Sequence, residues 1–279
     1  MHRRGAYSRA RKVILPIIGF LIAAFFLAPY LVMFLSSLKD NGDLFASPAR
    51  YLPRHWVWSN WVKAFTYAPL AGYLKVSCII AGAGTALVLA VSMPAAYYTA
   101  RFRFRGRTAY LYLVLITQMF APTALVIGIY REFFQLHLTD TLVGLIIADA
   151  SFNLAFAVWI LQAYFASIPK EIEEAALLDG TTRMQALRRV VVPIAAPGVV
   201  TAVIFTFIAI WNEFVVALTL ISSAGNYPLT VGLNSYIGEY QVEYQYLFVA
   251  SLVAIIPVVI LFAFIERFLI RGLTAGGVK

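Results

Sequence analysis

The chain has 279 residues, is 62% hydrophobic and only 13% charged, and has a mean hydropathy of +0.81. That is more apolar surface than a water-soluble domain can hide, which excludes an ordinary soluble protein and makes lipid the expected solvent. The formal charge of +9 points to nucleic acid or an anionic membrane, and the placement of the charges decides between the two.

Six apolar runs follow one another along the chain: 13–38, 76–100, 108–130, 142–168, 194–221 and 246–270. Each reaches the roughly 20 residues that a helix needs to cross a hydrocarbon core of about 30 Å. A helix pairs its own backbone N–H and C=O groups, so it is stable in lipid. The first run follows Arg3, Arg4, Arg9, Arg11 and Lys12. It is too long for the apolar part of a signal peptide, and no small-x-small cleavage site follows it. It reads as an uncleaved helix after a tail of residues 1–12. The stretch after it carries Tyr51, Trp56, Trp58, Trp61 and Tyr67, as an aromatic belt at a membrane interface does. The second run holds Cys78, the one cysteine, which forms no internal disulfide and reads as a small hydrophobe.

Six crossings put both termini on one side. That side collects the N-terminal cluster, then Arg101, Arg103, Arg105 and Arg107, then Lys170, Arg183, Arg188 and Arg189, then Arg267, Arg271 and Lys279. Only Lys39, Arg50, Arg54, Lys63, Lys75 and Arg131 fall on the other. The asymmetry makes the termini cytoplasmic. It also accounts for the net charge, so no nucleic-acid partner is needed. The fold class expected is an all-α membrane protein of six helices, a single transmembrane domain over 1–279. Membrane lipid is its surroundings, and the cell inner membrane its location. The outer loop 222–245 has no Lys or Arg. It carries Gly225, Asn226, Pro228, Gly232, Asn234 and Gly238, a polar composition at a length often tied to function.

Between the fourth and fifth runs, residues 168–193 are polar. Pro169 suits the start of a helix, because its missing N–H would be unpaired there. Glu171, Glu173 and Glu174 crowd the first turns, where the helix dipole favours negative charge. Gly180 stands where a left-handed residue ends a helix. Thr182 and Gln185 then have capping-box spacing for a second helix, with Arg188 and Arg189 near its end and Pro193 as its stop. The product is helix, Gly turn, helix. Its acidic first helix suits anionic lipid poorly, and its small Ala residues allow another protein's groove to approach.

Several polar residues lie inside the runs: Gln118, Asp149, Asn153, Gln162, Asn212 and Glu213. A charged group at mid-membrane costs about 2.5–3.5 kcal/mol on insertion scales, so it turns toward protein or water. Asp149 and Asn153 are four apart and share a helix face. Two readings stand for Asp149: the lining of a transport path, or a polar tie between helices. Gln118, Asn153, Trp159 and Asn212 join it as pathway candidates, although Asn212 and Glu213 also fit structural or interface roles. The three histidines are scattered and no cysteine cluster exists, so no metal site and no catalytic set are expected. The tail "GLTAGGVK" lacks the Gly-Lys-Ser/Thr order of a phosphate loop.

The stretch "EEAALLDGTTRMQALRRVVVP" resembles the EAA motif of ABC-importer permeases. Glu174-Ala175-Ala176, Gly180 and Val190-Val191-Val192-Pro193 match its pattern and spacing. The chain as a whole resembles the carbohydrate-uptake branch, the smaller permease of maltose-type importers. "PAAYYTARFRFRGR", "TQMFAPTALVIGIY", "TDTLVGLI", "WNEF" and "GLTAGGVK" look similar as well. The resemblance implies the type I importer permease fold. It implies three kinds of partner: a second homologous permease, two cytoplasmic ATP-binding subunits and an extracytoplasmic solute-binding protein. It implies that Glu173, Glu174, Ala175, Ala176, Asp179, Gly180 and Pro193 couple the chain to an ATPase. A tail of residues 271–279, with Gly272, Thr274, Gly276 and Gly277, is expected to reach the ATPases. Tyr227, Asn234 and Tyr236 are expected to meet the binding protein. The chain itself then holds no cofactor and is no enzyme, ATP and Mg belonging to the ATPase subunits. Its cargo is expected to be a disaccharide or oligosaccharide. A glycerophosphodiester or glycerol phosphate is the alternative cargo. A secondary transporter is a further reading, but it leaves the EAA segment without a purpose.

Overall fold

The computed structural model describes residues 3–238 and 242–276, and the side chains of 14–238 and 242–266. In chain order the helices are α1 (Arg3–Ser37), α2 (Asn41–Leu44), α3 (Ser59–Tyr67), α4 (Leu70–Arg101), α5 (Arg107–Thr117), α6 (Pro122–Gln135) and α7 (Leu142–Ser167). There follow α8 (Lys170–Leu178), α9 (Arg183–Ala186), α10 (Val192–Ile194), α11 (Ala196–Trp211), α12 (Val215–Leu220), α13 (Leu229–Gly232) and α14 (Tyr244–Gly276). The fold is all-α. Four helices are long and apolar enough to cross a membrane, and up to six spans result if each of two bent pairs is one.

Two of the six expected spans are not single straight helices. The run 108–130 is not one rod: α5 and α6 meet at 95°. Pro122 opens α6 behind Ala121, whose ψ of 133° is extended. A proline has no N–H to give the preceding turn and clashes with it, so an α-helix restarts there rather than continuing. The run 194–221 is interrupted too. Its first helix, α11, is about 24 Å long at 1.5 Å per residue, short of a full crossing. The chain breaks at Asn212–Phe214 before α12. Glu213 makes that break tolerable: its carboxylate accepts from the N–H groups of Val216 at 2.7 Å and Ala217 at 2.9 Å. The free N–H groups of α12 therefore find a partner inside the protein, as lipid demands.

Contacts divide the chain into two compact units, 1–69 with 235–255, and 70–234 with 256–279. In the first unit the loop after α1 is tied back by Asn60, whose amide donates to the carbonyls of Ser37 and Lys39. Asp43 is buried and accepts from the Arg54 N–H at 2.7 Å and from Arg50 Nη1 at 2.9 Å. The Arg54 hydrogen bond above all holds its carboxyl below the usual carboxylate range, with the Arg50 guanidinium adding to it. Tyr236 is fully buried. Its ring stacks on Tyr67, and its hydroxyl donates to the Ala64 carbonyl at 2.8 Å. The second unit packs α4 against α7 and α11. Gly198 is required there, since a Cβ would stand 2.2 Å from the Tyr164 ring.

The loop before α7 is locked to the one after α12. Asp140 sits at φ 57°. Its carboxylate accepts from the N–H of Ser222 at 3.0 Å and of Ser223 at 2.9 Å, and from the Ser223 hydroxyl. The Asn226 amide donates to the Asp140 carbonyl at 2.8 Å. The donors from Ser223 come first among the causes that hold the Asp140 carboxyl below its ordinary range. A depressed carboxylate stabilises the fold above its unfolded pKa, and that contribution disappears as pH falls through the folded value. Asp140→Ala should therefore speed amide exchange at Ser222 and Ser223 by at least tenfold at neutral pH. In the unaltered protein the protection of these amides, their rate relative to an unstructured chain at the same pH, should fall only as pH drops below the usual carboxylate range; exchange followed by mass spectrometry checks both.

Candidate functional site

The polar segment after α7 has an inner and an outer face. α8 begins at Lys170, with Pro169 just outside it at ψ 137°. Its end is built by Gly180 at φ 83°, whose N–H donates to the Leu177 carbonyl at 3.1 Å. Only glycine takes that left-handed conformation at no steric cost. Thr182 and Gln185 form a capping box: the Gln185 N–H donates to the Thr182 hydroxyl oxygen, and the Thr182 N–H to the Gln185 side chain. From Arg183 the backbone stays helical, through a π turn at Leu187–Val191, as far as Ile194. The sequence expectation that Pro193 stops this helix is corrected. Pro193 stands inside the helical stretch, just after the π turn and one residue before its end. The chain turns by 84° only after Ile194, into α11.

The inner face is anchored by a buried ion pair. Glu173 is 6% exposed. The Tyr97 hydroxyl at the end of α4 donates to its Oε1, and Arg101 Nε stands 2.7 Å from its Oε2. Arg101 Nη1 donates to the Ile168 carbonyl at 2.9 Å, at the joint between α7 and α8. The Arg183 guanidinium lies 4.7 Å over the Phe102 ring. Below these, Leu187, Val191 and Ala195 join Tyr97, Leu161 and Phe165 in one apolar core. Glu173 was expected on the docking face with its neighbours; its carboxylate instead points into the protein. A single step along a helix turns a side chain by about 100°, which separates Glu173 from Glu174.

The outer face exposes Glu174, Ala175, Asp179 and Gly180, with Ala176 half-buried. Flanking the Gly180 turn are two apolar side chains that sequence reasoning missed: Leu178, 89% exposed, and Met184, 63% exposed. They sit on either side of a turn rather than on one helical stripe, so periodicity gave no signal for them.

A second feature lies between α5, α6 and α7. A cavity of about 690 Å³ is walled by Gln118, Asp149 and Asn153 of the expected pathway set, with Glu213 and aromatic faces from Phe120 and Phe152. Its size is that of a small-molecule site. Asp149 is 2% exposed, and its Oδ1 has no hydrogen-bond partner among the described residues. Asn153 donates to the Asp149 carbonyl at 2.8 Å, and Gln118 to the Phe152 carbonyl at 3.2 Å. Trp159 and Asn212 are exposed but do not line this cavity. Of the loop residues, Asn234 is exposed, and Tyr227 is half-buried with its hydroxyl donating to the Ser222 carbonyl at 3.0 Å. Tyr236 is corrected: held under Tyr67, it has no free surface for a partner. Gly272, Thr274 and Gly276 fall in the last turns of α14, and Gly277 lies outside the described residues.

Residues 89–275 match the family model described as "Binding-protein-dependent transport system inner membrane component". The chain is 34% identical to the sulfoquinovosyl glycerol transport system permease protein SmoH of Agrobacterium fabrum, over 91% of this chain and 89% of the relative. It is 29% identical to the trehalose/maltose transport system permease protein MalG of Thermococcus litoralis, over 96% and 97%. Its fold is similar to that of a chain in the crystal structure of a bacterial ABC transporter involved in import of the acidic polysaccharide alginate. The TM-score is 0.79 and the identity 23%, with 94% of this chain and 97% of that one covered.

Removing one partner of a buried ion pair leaves the other charge stranded, at a cost of about 3–5 kcal/mol. Arg101→Met should therefore detach α8 from α4 while leaving the spans folded. Limited trypsin digestion should then cut after Lys170 at least tenfold faster than in the unaltered chain. An unchanged cleavage rate would show that the apolar core below holds α8 without the ion pair.

Proposed function

The chain belongs to the family of binding-protein-dependent transport system inner membrane components, and from that premise we propose that it is the sugar-conducting permease subunit of an ATP-driven importer. Its cargo class is a disaccharide or oligosaccharide, as the name of its trehalose/maltose relative suggests. A glycerophosphodiester cargo has no support among these relatives. The assembly in this reading contains a second homologous permease, two ATP-binding subunits that carry ATP and Mg, and an extracytoplasmic binding protein. This chain catalyses nothing itself. It lies in the cell inner membrane with both termini cytoplasmic, and its C-terminal tail with Gly272, Thr274, Gly276 and Gly277 reaches the ATPases.

The observation that carries the reading is the two-faced segment at 168–193. Its outer face offers Leu178 and Met184 beside Glu174, Ala175, Asp179 and the Gly180 turn, a knob for a groove on an ATPase. Its inner face is tied by Glu173 to Tyr97 and Arg101. Movement of the knob is thereby passed to α4 as well as to α7. The cavity beside Asp149 is half of the path, completed by the second permease. Asn234 and Tyr227 are the outer-loop residues left to meet the binding protein.

Gly180→Val should abolish uptake while leaving the protein in the membrane, because a β-branched residue resists φ 83°. Full transport by a normally expressed variant would remove the docking turn from the mechanism. Leu178→Asp should cut co-purification of the ATP-binding subunits by at least tenfold, because a charge would enter a desolvated contact. Undiminished retention on the affinity column would place the ATPase contact elsewhere.

A further inference from the structure

The cavity beside Asp149 has acidic but no basic side chains among the described residues that line it. The Thr117 hydroxyl donates to the Val114 carbonyl and the Ser151 hydroxyl to the Ile147 carbonyl, each at 2.7 Å. The Gln118 and Asn153 amides each spend a hydrogen on a backbone carbonyl, of Phe152 and Asp149. Each amide keeps its second hydrogen, and the ionisable groups of the described lining are the carboxyls of Asp149 and Glu213. Asp149 Oδ1 is buried with no partner among the described residues. Glu213 is a carboxylate pinned in place by two N–H groups of α12. Both carboxyls also border a small void next to the cavity. None of the described residues lining the cavity is Lys, Arg or His.

A sugar hydroxyl brings a proton to donate, so it satisfies an unpaired acceptor. A carboxylate, sulfonate or phosphate only accepts. In this wall it meets two acidic side chains, with no cation among the described lining residues to offset the loss of its hydration. The two relatives above divide on this point, since sulfoquinovosyl glycerol carries a sulfonate and trehalose and maltose carry no charge. We infer that this cavity passes uncharged, hydroxyl-rich sugars and rejects anionic ones, with Asp149 and Glu213 as the residues that set the preference. The inference rests on the reading that the cavity lines the transport path.

The test places a thiol in the wall, Ser151→Cys in a Cys78→Ala background, in membranes containing the full transporter. Its rate of modification is measured with uncharged methyl methanethiosulfonate and with anionic sulfonatoethyl methanethiosulfonate, each normalised to its rate with a free thiol in solution. The anionic reagent should be slower by at least tenfold, and Asp149→Asn with Glu213→Gln should shrink that gap to threefold or less. If the double variant fails to reach the membrane, Asp149→Asn alone should narrow the gap measurably. Equal normalised rates in the parent thiol protein, or a gap untouched by these substitutions, overturns the inference. Maltose or trehalose, added during modification, should slow the uncharged reagent. If neither sugar protects while the anionic reagent is still excluded, the cavity is not on a sugar path, and the reading beneath the inference falls with it.

Discussion

The clasp of Glu173 between Tyr97 and Arg101 is the contact on which the arrangement outside the spans depends. A nine-residue helix is too short to be stable by itself in water. α8 persists because its buried carboxylate is paired, and because Arg101 also holds the Ile168 carbonyl at its entry. The pair is costly to desolvate and strongly destabilising to break. That combination favours one geometry over many. It ties the segment that ends at Gly180 to the ends of α4 and α7 by side-chain contacts.

The same demand for satisfied polar groups explains the broken helices. Lipid supplies no hydrogen bonds, so a helix ends within a membrane body only where the chain itself closes the free backbone groups. Glu213 does this for α12, and its own carbonyl is taken by the Thr230 hydroxyl at 2.7 Å. At Pro122 the missing N–H is absorbed by placing it at a helix start. Other prolines, Pro94 in α4 and Pro257 in α14, stay inside continuous helices. Proline alone thus does not decide where a membrane helix breaks.

Charge is distributed by function as well as by topology. Basic residues gather at one end of the spans, where Arg101 and Arg183 are used to hold α8 and Phe102. The described lining of the cavity beside Asp149 carries only carboxylates among its ionisable groups. The outer loops use Asp43 and Asp140 as acceptors for clusters of N–H donors. Asp149 differs from Asp43 and Asp140: its Oδ1 is buried with no hydrogen-bond partner among the described residues.

The sequence by itself determined the solvent, the all-α class, the spans at 13–38 and 142–168, and the turn at Gly180 with its Thr182 capping box. These follow from composition, from apolar length and from local backbone chemistry, all of which act over a few residues. It also brought Gln118, Asp149 and Asn153 forward, because polar groups in apolar runs stand out singly. Tertiary structure alone decided that Glu173 faces Tyr97 and Arg101 while Glu174 faces out. The partners lie some seventy residues away in the chain, and no local pattern encodes their meeting. It alone decided that Tyr236 is interior, since an aromatic in a polar loop reads as surface until Tyr67 and Ala64 are seen against it. It alone turned the third run by 95° at Pro122 while leaving α4 unbroken at Pro94. A helix in lipid ends only where neighbouring elements can take up its freed backbone groups, and which elements are neighbours is a property of the packed molecule.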